Sequence, residues 1–318
     1  MPLIAAQVPS GPAPTLADVQ LIAECNIYPE GRKAGSVQIS HRLELLQKWK
    51  IKEGDTVFEV GCGQGDATSV LATAVGANGH VTAVDPAPLS YGACPTDFFF
   101  IPRNSTQGTA GGPWNLGQAQ DYLSASPLGP RITWIEADPI GYLTAHATAH
   151  FSVAILCHSI FYFASPSLLR ETLSCLSKHA DRVVISEYAL STTTPSAHAH
   201  VLAVLTEATL ECRKPSSVSN VRTVVSPATL KRVAAEVGLE LESEGVVVPK
   251  KELQDGRWEL QAVMDPGFVT QVEANVKDER EKEVVVACRD ACLAAVELAG
   301  GLKECTTMDV WTGCFVSR

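Results

Sequence analysis

The sequence of 318 residues contains no apolar run of 18 residues, the length a helix needs to cross a bilayer, so no membrane span is expected. It contains no run of Lys and Arg. Its balance is acidic, with 25 basic against 35 acidic side chains, a formal net charge of −10 and a pI near 5.3. Surfaces that bind nucleic acid carry a basic patch or stripe, so a nucleic-acid partner is excluded on this reading. The N-terminus, MPLIAAQVPSGPAPTLAD, lacks the charged leader and apolar stretch of a signal peptide. None of the ten cysteines (Cys25, Cys62, Cys94, Cys157, Cys175, Cys212, Cys288, Cys292, Cys305 and Cys314) belongs to a CxxC pair. They are scattered through apolar segments, as expected of reduced, mostly buried thiols. His198 and His200 stand close together, but no carboxylate or cysteine flanks them at ligand spacing, so no metal site is expected. These absences leave a soluble, acidic, cytoplasmic protein.

Alternating strand and helix patterns fill the rest of the chain. The segments TVFEV (56–60), HVTAV (80–84), RITWIE (131–136), FSVAIL (151–156), RVVISE (182–187), LELESEGVVV (239–248) and MDVWTGCFV (308–316) are expected as strands. Ser36 is expected to cap a helix carrying Ile39, Leu43 and Leu46 on one stripe. Ser165 and Pro166 open another helix, and Ser226 and Pro227 a third that ends at Gly238. One long helical region is expected over about 268–299. Strand–helix alternation implies an α/β fold, a mostly parallel sheet with helices on both faces. Residues 1–24 are expected as a flexible tail, and 25–318 as a single domain with insertions at about 86–113, 191–225 and 250–305. Phe98, Phe99 and Phe100 favour a packed lid for the first insertion.

The segment VFEVGCGQG (57–65) carries the chemistry. A strand ends, glycines follow at Gly61, Gly63 and Gly65, and a helix begins at Asp66. Glycines permit a tight turn and close approach of backbone to a ligand. Asp85 lies twenty residues beyond Gly65 at the end of the next strand, where a carboxylate can accept from both hydroxyls of a ribose. A dinucleotide fingerprint, GxGxxG, would need glycine at position 66, which is Asp. Glu59, two residues before the first glycine, suits a ligand with a cationic amino-acid end.

With Glu59, Gly61, Gly63, Gly65 and Asp85 in place, the sequence resembles the class I S-adenosylmethionine-dependent methyltransferases. IEADP (135–139) matches the family's adenine-contacting segment, with Asp138 toward the adenine amino group, and AILCHS (154–159) matches the strand that ends beneath the reacting methyl. The resemblance implies a Rossmann-like, doubly wound seven-stranded sheet of order 3-2-1-4-5-7-6 with helical lid insertions. It implies S-adenosyl-L-methionine as cofactor, bound by Glu59, Gly61, Cys62, Gly63, Gly65, Asp85, Pro86, Ala137, Asp138 and Cys157, with Tyr28 and Arg32 folded over it.

Methyl transfer requires alignment, exclusion of water and often removal of a proton. His158, directly after the fourth strand, is the candidate general base, and Tyr162 a weaker catalytic candidate beside Phe161. Glu187 and Tyr188 are candidates for the pocket floor, Gln118 for its wall, and His41 is expected to be structural. The fourth strand lacks the (Asn/Asp)-Pro-Pro-(Tyr/Phe) pattern of DNA-base and glutamine methylation. The expected substrate is therefore a small, largely apolar or aromatic metabolite with an O, N or C acceptor, of the kind made in secondary metabolism, for a monomer or homodimer. Two other readings stay open: a cofactor-binding cyclase or isomerase without methyl transfer, and a non-catalytic binding partner.

Overall fold

The computed structural model describes residues 16–27, 32–92, 114–217 and 219–317. In chain order the elements are α1 (Leu16–Glu24), α2 (Arg32–Trp49), β1 (Thr56–Val60), α3 (Asp66–Ala74), β2 (His80–Asp85), α4 (Leu116–Ser124), β3 (Ile132–Glu136), α5 (Pro139–Ala145), β4 (Val153–Cys157), α6 (Pro166–His179), β5 (Arg182–Tyr188), α7 (His198–Glu211), α8 (Pro227–Glu236), β6 (Leu239–Val247), α9 (Gly256–Met264), α10 (Gly267–Asn275), α11 (Glu279–Leu298) and β7 (Val310–Ser317). Among the described residues, no helix is long and apolar enough to cross a membrane.

The strands form a seven-stranded sheet of order β3-β2-β1-β4-β5-β7-β6. The pairs β3–β2, β2–β1, β1–β4 and β4–β5 are parallel, whereas β7 runs antiparallel to both β5 and β6. This is the expected Rossmann-like order. Strands β1, β4 and β5 are apolar almost throughout because helices cover both faces; Phe58, Ile155 and Val184 are fully buried. Edge strand β6 instead exposes Glu240 and Glu242, and it bulges between Leu241 and Ser243. Charge and a bulge on an edge discourage pairing with another chain.

Local chemistry sets the helix starts. Ser165 Oγ accepts from the Leu168 amide and Pro166 occupies the first helical position of α6, which buries Leu169, Leu173 and Leu176. Ser226 and Pro227 do the same for α8. Three expectations shift. Helix α2 begins at Arg32, so Ser36 sits inside it and is no cap; Ile39 and Leu43 are nevertheless buried. The long region over 268–299 is two helices, because Val276 turns extended and Asp278 caps α11. Of the stretch expected as a tail over 1–24, residues 16–24 form helix α1, whose Val19, Ile22 and Ala23 pack with Ile39, Leu43 and Val70. Phe98 to Phe100 lie outside the described residues.

The second and third insertions merge. Ala199, Ala203 and Leu210 of α7 share a second core with Leu260 and Val263 of α9, Phe268 and Val272 of α10, and Val285 and Cys292 of α11. Leu260 is fully buried there, whereas Leu298 at the end of α11 is 90% exposed. Leu260→Ala should cost about 2–5 kcal/mol in urea unfolding. Leu298→Ala should stay within about 0.5 kcal/mol. Equal effects would show that the helical layer does not pack through Leu260.

Candidate active site

After β1 the chain turns three times in the left-handed region, at Gly61 (φ 76°), Gly63 (φ 52°) and Gly65 (φ 99°). A Cβ on Gly61 would lie 2.6 Å from Ser159 Cβ, and one on Gly65 2.9 Å from Leu123 and Trp134. A Cβ on Gly63 would meet nothing within 4 Å. The outer glycines are thus required by packing, and the middle one borders open space. The Gly61 and Cys62 amides donate to Val84 O, at 2.8 and 3.3 Å, which pins the loop to β2.

Asp85 closes the cradle. Its Oδ2 accepts from the Gly63 amide and its Oδ1 from the Ala87 amide, both at 2.9 Å. Burial raises its pKa, and these two amides oppose the rise. Each oxygen keeps acceptor capacity for an adjacent pair of hydroxyls. Pro86 is exposed beside it, and the Ala137 amide donates to Asp85 O at 3.1 Å, bringing Ala137 and Asp138 to the same rim. Asp138 caps α5 through one oxygen, accepting from the Gly141 amide at 2.7 Å, and the side chain is otherwise exposed. This open loop, fixed diol acceptor and exposed acid fit a nucleoside with an amino-acid arm.

Glu59 lies deeper. It is 2% exposed, and its Oε2 accepts from Thr68 Oγ1 at 2.6 Å, tying β1 to α3. Burial pushes it up to about 8. Cys62 is buried with its thiol pushed up by burial, and burial likewise raises Cys157 to about 12, so neither is a ready nucleophile.

At the ends of β4 and β5, three ionisable side chains converge. His158 itself holds a left-handed backbone (φ 52°), and its amide donates to Ser186 O at 2.8 Å. Its Nδ1 stands 3.5 Å from Glu187 Oε1 and its Nε2 3.4 Å from His41 Nε2, both long for hydrogen bonds. Tyr188 lies against the same ring at 4.8 Å between centroids. Glu187 is buried and fixed, accepting from the Ile160 and Tyr188 amides at 2.9 Å each. Burial drives His41 well down, so it is neutral. The two wall candidates part company: Phe161 is buried in the core, whereas Tyr162 keeps 42% of its surface open. Burial also raises the Tyr162 phenol, with Tyr91, Glu259, Glu187 and Asp255 adding to it.

Helices α2 and α9 are tied together near these side chains. Gln38 Nε2 donates to Asp255 Oδ1, and Arg42 approaches Asp255 Oδ2 at 3.5 Å. One turn on, Glu259 faces His200 of α7, with Oε2 3.6 Å from Nε2. The Met308 amide donates to His200 Nδ1 at 3.0 Å, which places that ring's hydrogen on Nε2. Burial lowers His200 to about 3 and raises Glu259 to about 8.

Of the remaining expectations, Tyr28 lies outside the described residues, and Arg32 opens α2 with its side chain outside the description. Gln118 does not reach the pocket: it completes a capping box with Asn115. Gln120 takes its place near the loop, donating to Gly63 O at 2.9 Å. His41, expected to be structural, is buried and faces His158 across 3.4 Å, and Arg42, Asp255 and Glu259 escaped notice. Their spacing held a signal: 38, 41 and 42 share one helical face, as do 255 and 259.

Residues 34–90 match the family described as protein-L-isoaspartate(D-aspartate) O-methyltransferase. Two curated relatives from Diaporthe leptostromiformis, methyltransferases phomM′ and phomM, are each 24% identical over 295 residues, covering 80% of this chain and 71% of theirs. Among solved structures, a cyclopropane-fatty-acyl-phospholipid synthase-like protein from Lactobacillus casei is 26% identical with a TM-score of 0.77, covering 95% of this chain and all of that one.

The buried acids make a pH prediction. Folded Glu59 and Glu259 keep their protons to about pH 8, whereas the ordinary carboxyl value is 4.5. Between these values the unfolded chain binds fewer protons, so stability falls as pH rises. His41 and His200 oppose this only below about 6.5, where the unfolded chain protonates them. The melting temperature of the unliganded protein should therefore fall from pH 6.5 to 8, by up to about 1.4 kcal/mol of stability per pH unit for each carboxyl. Glu259→Gln should flatten the slope, and a rising melting temperature across this window would show both acids ionised in the fold.

Proposed function

We propose that this chain, which belongs to the class I S-adenosylmethionine-dependent methyltransferases, methylates a small, largely apolar or aromatic metabolite with His158 as the group that draws off the proton. Asp85 would hold the ribose, Asp138 the adenine, and the Gly61–Gly65 loop the region between, with Glu59 bracing that loop from beneath. When bound, the cofactor supplies an electrophilic methyl group and its own leaving group.

The observation that carries the role of His158 is its place between Glu187 and His41, one residue from the Ser159 contact with Gly61. Glu187, opposite Nδ1, favours the tautomer with hydrogen there. Nε2 is then the proton acceptor, and the imidazolium that forms faces the Glu187 carboxylate. His41 is neutral and adds no competing charge on the other side. Helices α2 and α9, tied together nearby, limit water around the exchange. Tyr162, Tyr188 and Tyr91 suit an acceptor of aromatic or apolar character.

His158→Asn tests this reading, because asparagine tolerates the left-handed backbone that His158 adopts. Turnover should drop by about 10²–10⁴-fold. Affinity for S-adenosylhomocysteine, measured by calorimetry, should hardly change. Equal loss of both would make His158 a cofactor-site residue. Absence of S-adenosylhomocysteine binding to the unmodified protein would sink the methyl-transfer reading itself.

A further inference from the structure

Glu259 keeps 18% of its side chain exposed, yet its Oε2 is buried and makes no hydrogen bond. His200 is fully buried and aims Nε2–H at that oxygen from 3.6 Å, and this nitrogen too has no partner. Two buried groups face each other across a gap too long to bond, a costly arrangement unless a third group joins them. The other acids here are already engaged. Asp255 is matched by Arg42, Glu211 by Lys214, and Glu187 by two backbone amides. Glu259 and Glu207 have no Lys or Arg within ion-pair distance among the described residues, and burial raises the carboxyl of each.

Aromatic rings stand close by. Tyr162 keeps 42% of its surface open, and Tyr188 packs its ring between His158 and His200, 4.8 and 4.9 Å away. Burial keeps the Glu259 proton in place up to about 8 in the unliganded protein, and a cation placed against the group displaces that proton and pairs with the carboxylate. A neutral acceptor offers no such gain. We propose that the methyl acceptor is an amine, bound as its ammonium form against the Glu259 carboxylate, with Tyr162 and Tyr188 as walls and His200 donating to the same carboxylate. This deepens the methyl-transfer reading and rests on it. The ammonium gives one proton to His158 Nε2. Its freed lone pair forms the new N–C bond, the pair of the broken C–S bond leaves with sulfur, and the product departs as an N-methylammonium ion.

Three probes of one shape separate the charges: benzylamine, benzyl alcohol and benzoate, titrated by calorimetry into protein loaded with S-adenosylhomocysteine. Benzylamine should bind about tenfold or more tightly than either other probe. Glu259→Gln should abolish that preference while keeping S-adenosylhomocysteine affinity, and Glu259→Asp should retain part of it. Equal or absent binding of the three probes, or an undiminished preference in Glu259→Gln, overturns the proposal. With methyl-labelled cofactor and paired amine and alcohol panels, label found on nitrogen supports it. Label confined to oxygen overturns it while leaving methyl transfer intact. Failure to bind S-adenosylhomocysteine at the outset overturns the methyl-transfer reading instead.

Discussion

Gly61 approaches Ser159 so closely that no side chain fits between them. That contact joins the turn after β1 to the turn after β4, the two strands that flank the switch point of the sheet. From the first turn follows the open backbone at Gly63 and the two amides that fix Asp85. From the second follows the left-handed backbone of His158, which turns its ring toward Glu187 and His41 instead of along the strand. The glycine turn with Asp85 and the turn that carries His158 are therefore packed directly against each other. A Cβ at position 61 would separate them and disturb both.

Burial without pairing is the second organising theme. Glu59 and Glu259 are raised to about 8, with desolvation the largest cause and neighbouring acids adding to it. Such groups oppose folding increasingly above the ordinary carboxyl value of 4.5. Glu59 lies under the glycine turn after β1, and Glu259 lies on α9. A binding site in which the fold tolerates an unsatisfied acid is poised to gain from a positively charged ligand, because the cost of desolvation is already contained in the folded state. The overall charge of −10 works in the same direction at longer range.

Strand order, loop glycines and Asp85 were legible because each is a local signal: continuous apolar runs, a strand-to-helix turn and an acid at a strand end. The Ser–Pro starts of α6 and α8 were legible for the same reason. Ser36 misled because a good capping residue also tolerates a helix interior when the apolar stripes around it are buried, and α2 buries two of them. One stripe, Ile39 and Leu43, packs on α1 and α3; the other runs through His41, Arg42, Leu45 and Trp49. The second stripe mixes charge with apolar residues, so a hydrophobic pattern hides it. His200 was weighed only as a metal ligand, yet its partners, Met308 and Glu259, are more than fifty residues away in sequence. No spacing rule reaches across an insertion of that length.

The inserted helices also explain how one scaffold can keep its cofactor chemistry while its acceptor changes. Asp85, Asp138 and the glycine loop belong to β1, β2, β3 and their turns, whereas Asp255, Glu259 and His200 belong to α9 and α7. Among the described residues the two sets approach each other at β4 and β5, through Glu187, Tyr188 and His158. Substitutions in α7 and α9 can alter the charge and shape around Glu259 and His200 without touching the Gly61–Ser159 contact. Their own core of Leu260, Val263 and Val285 carries the mechanical burden of those changes. The packing of α7 and α9 is thereby separable from that of the sheet, which holds the turns after β1 and β4 in place.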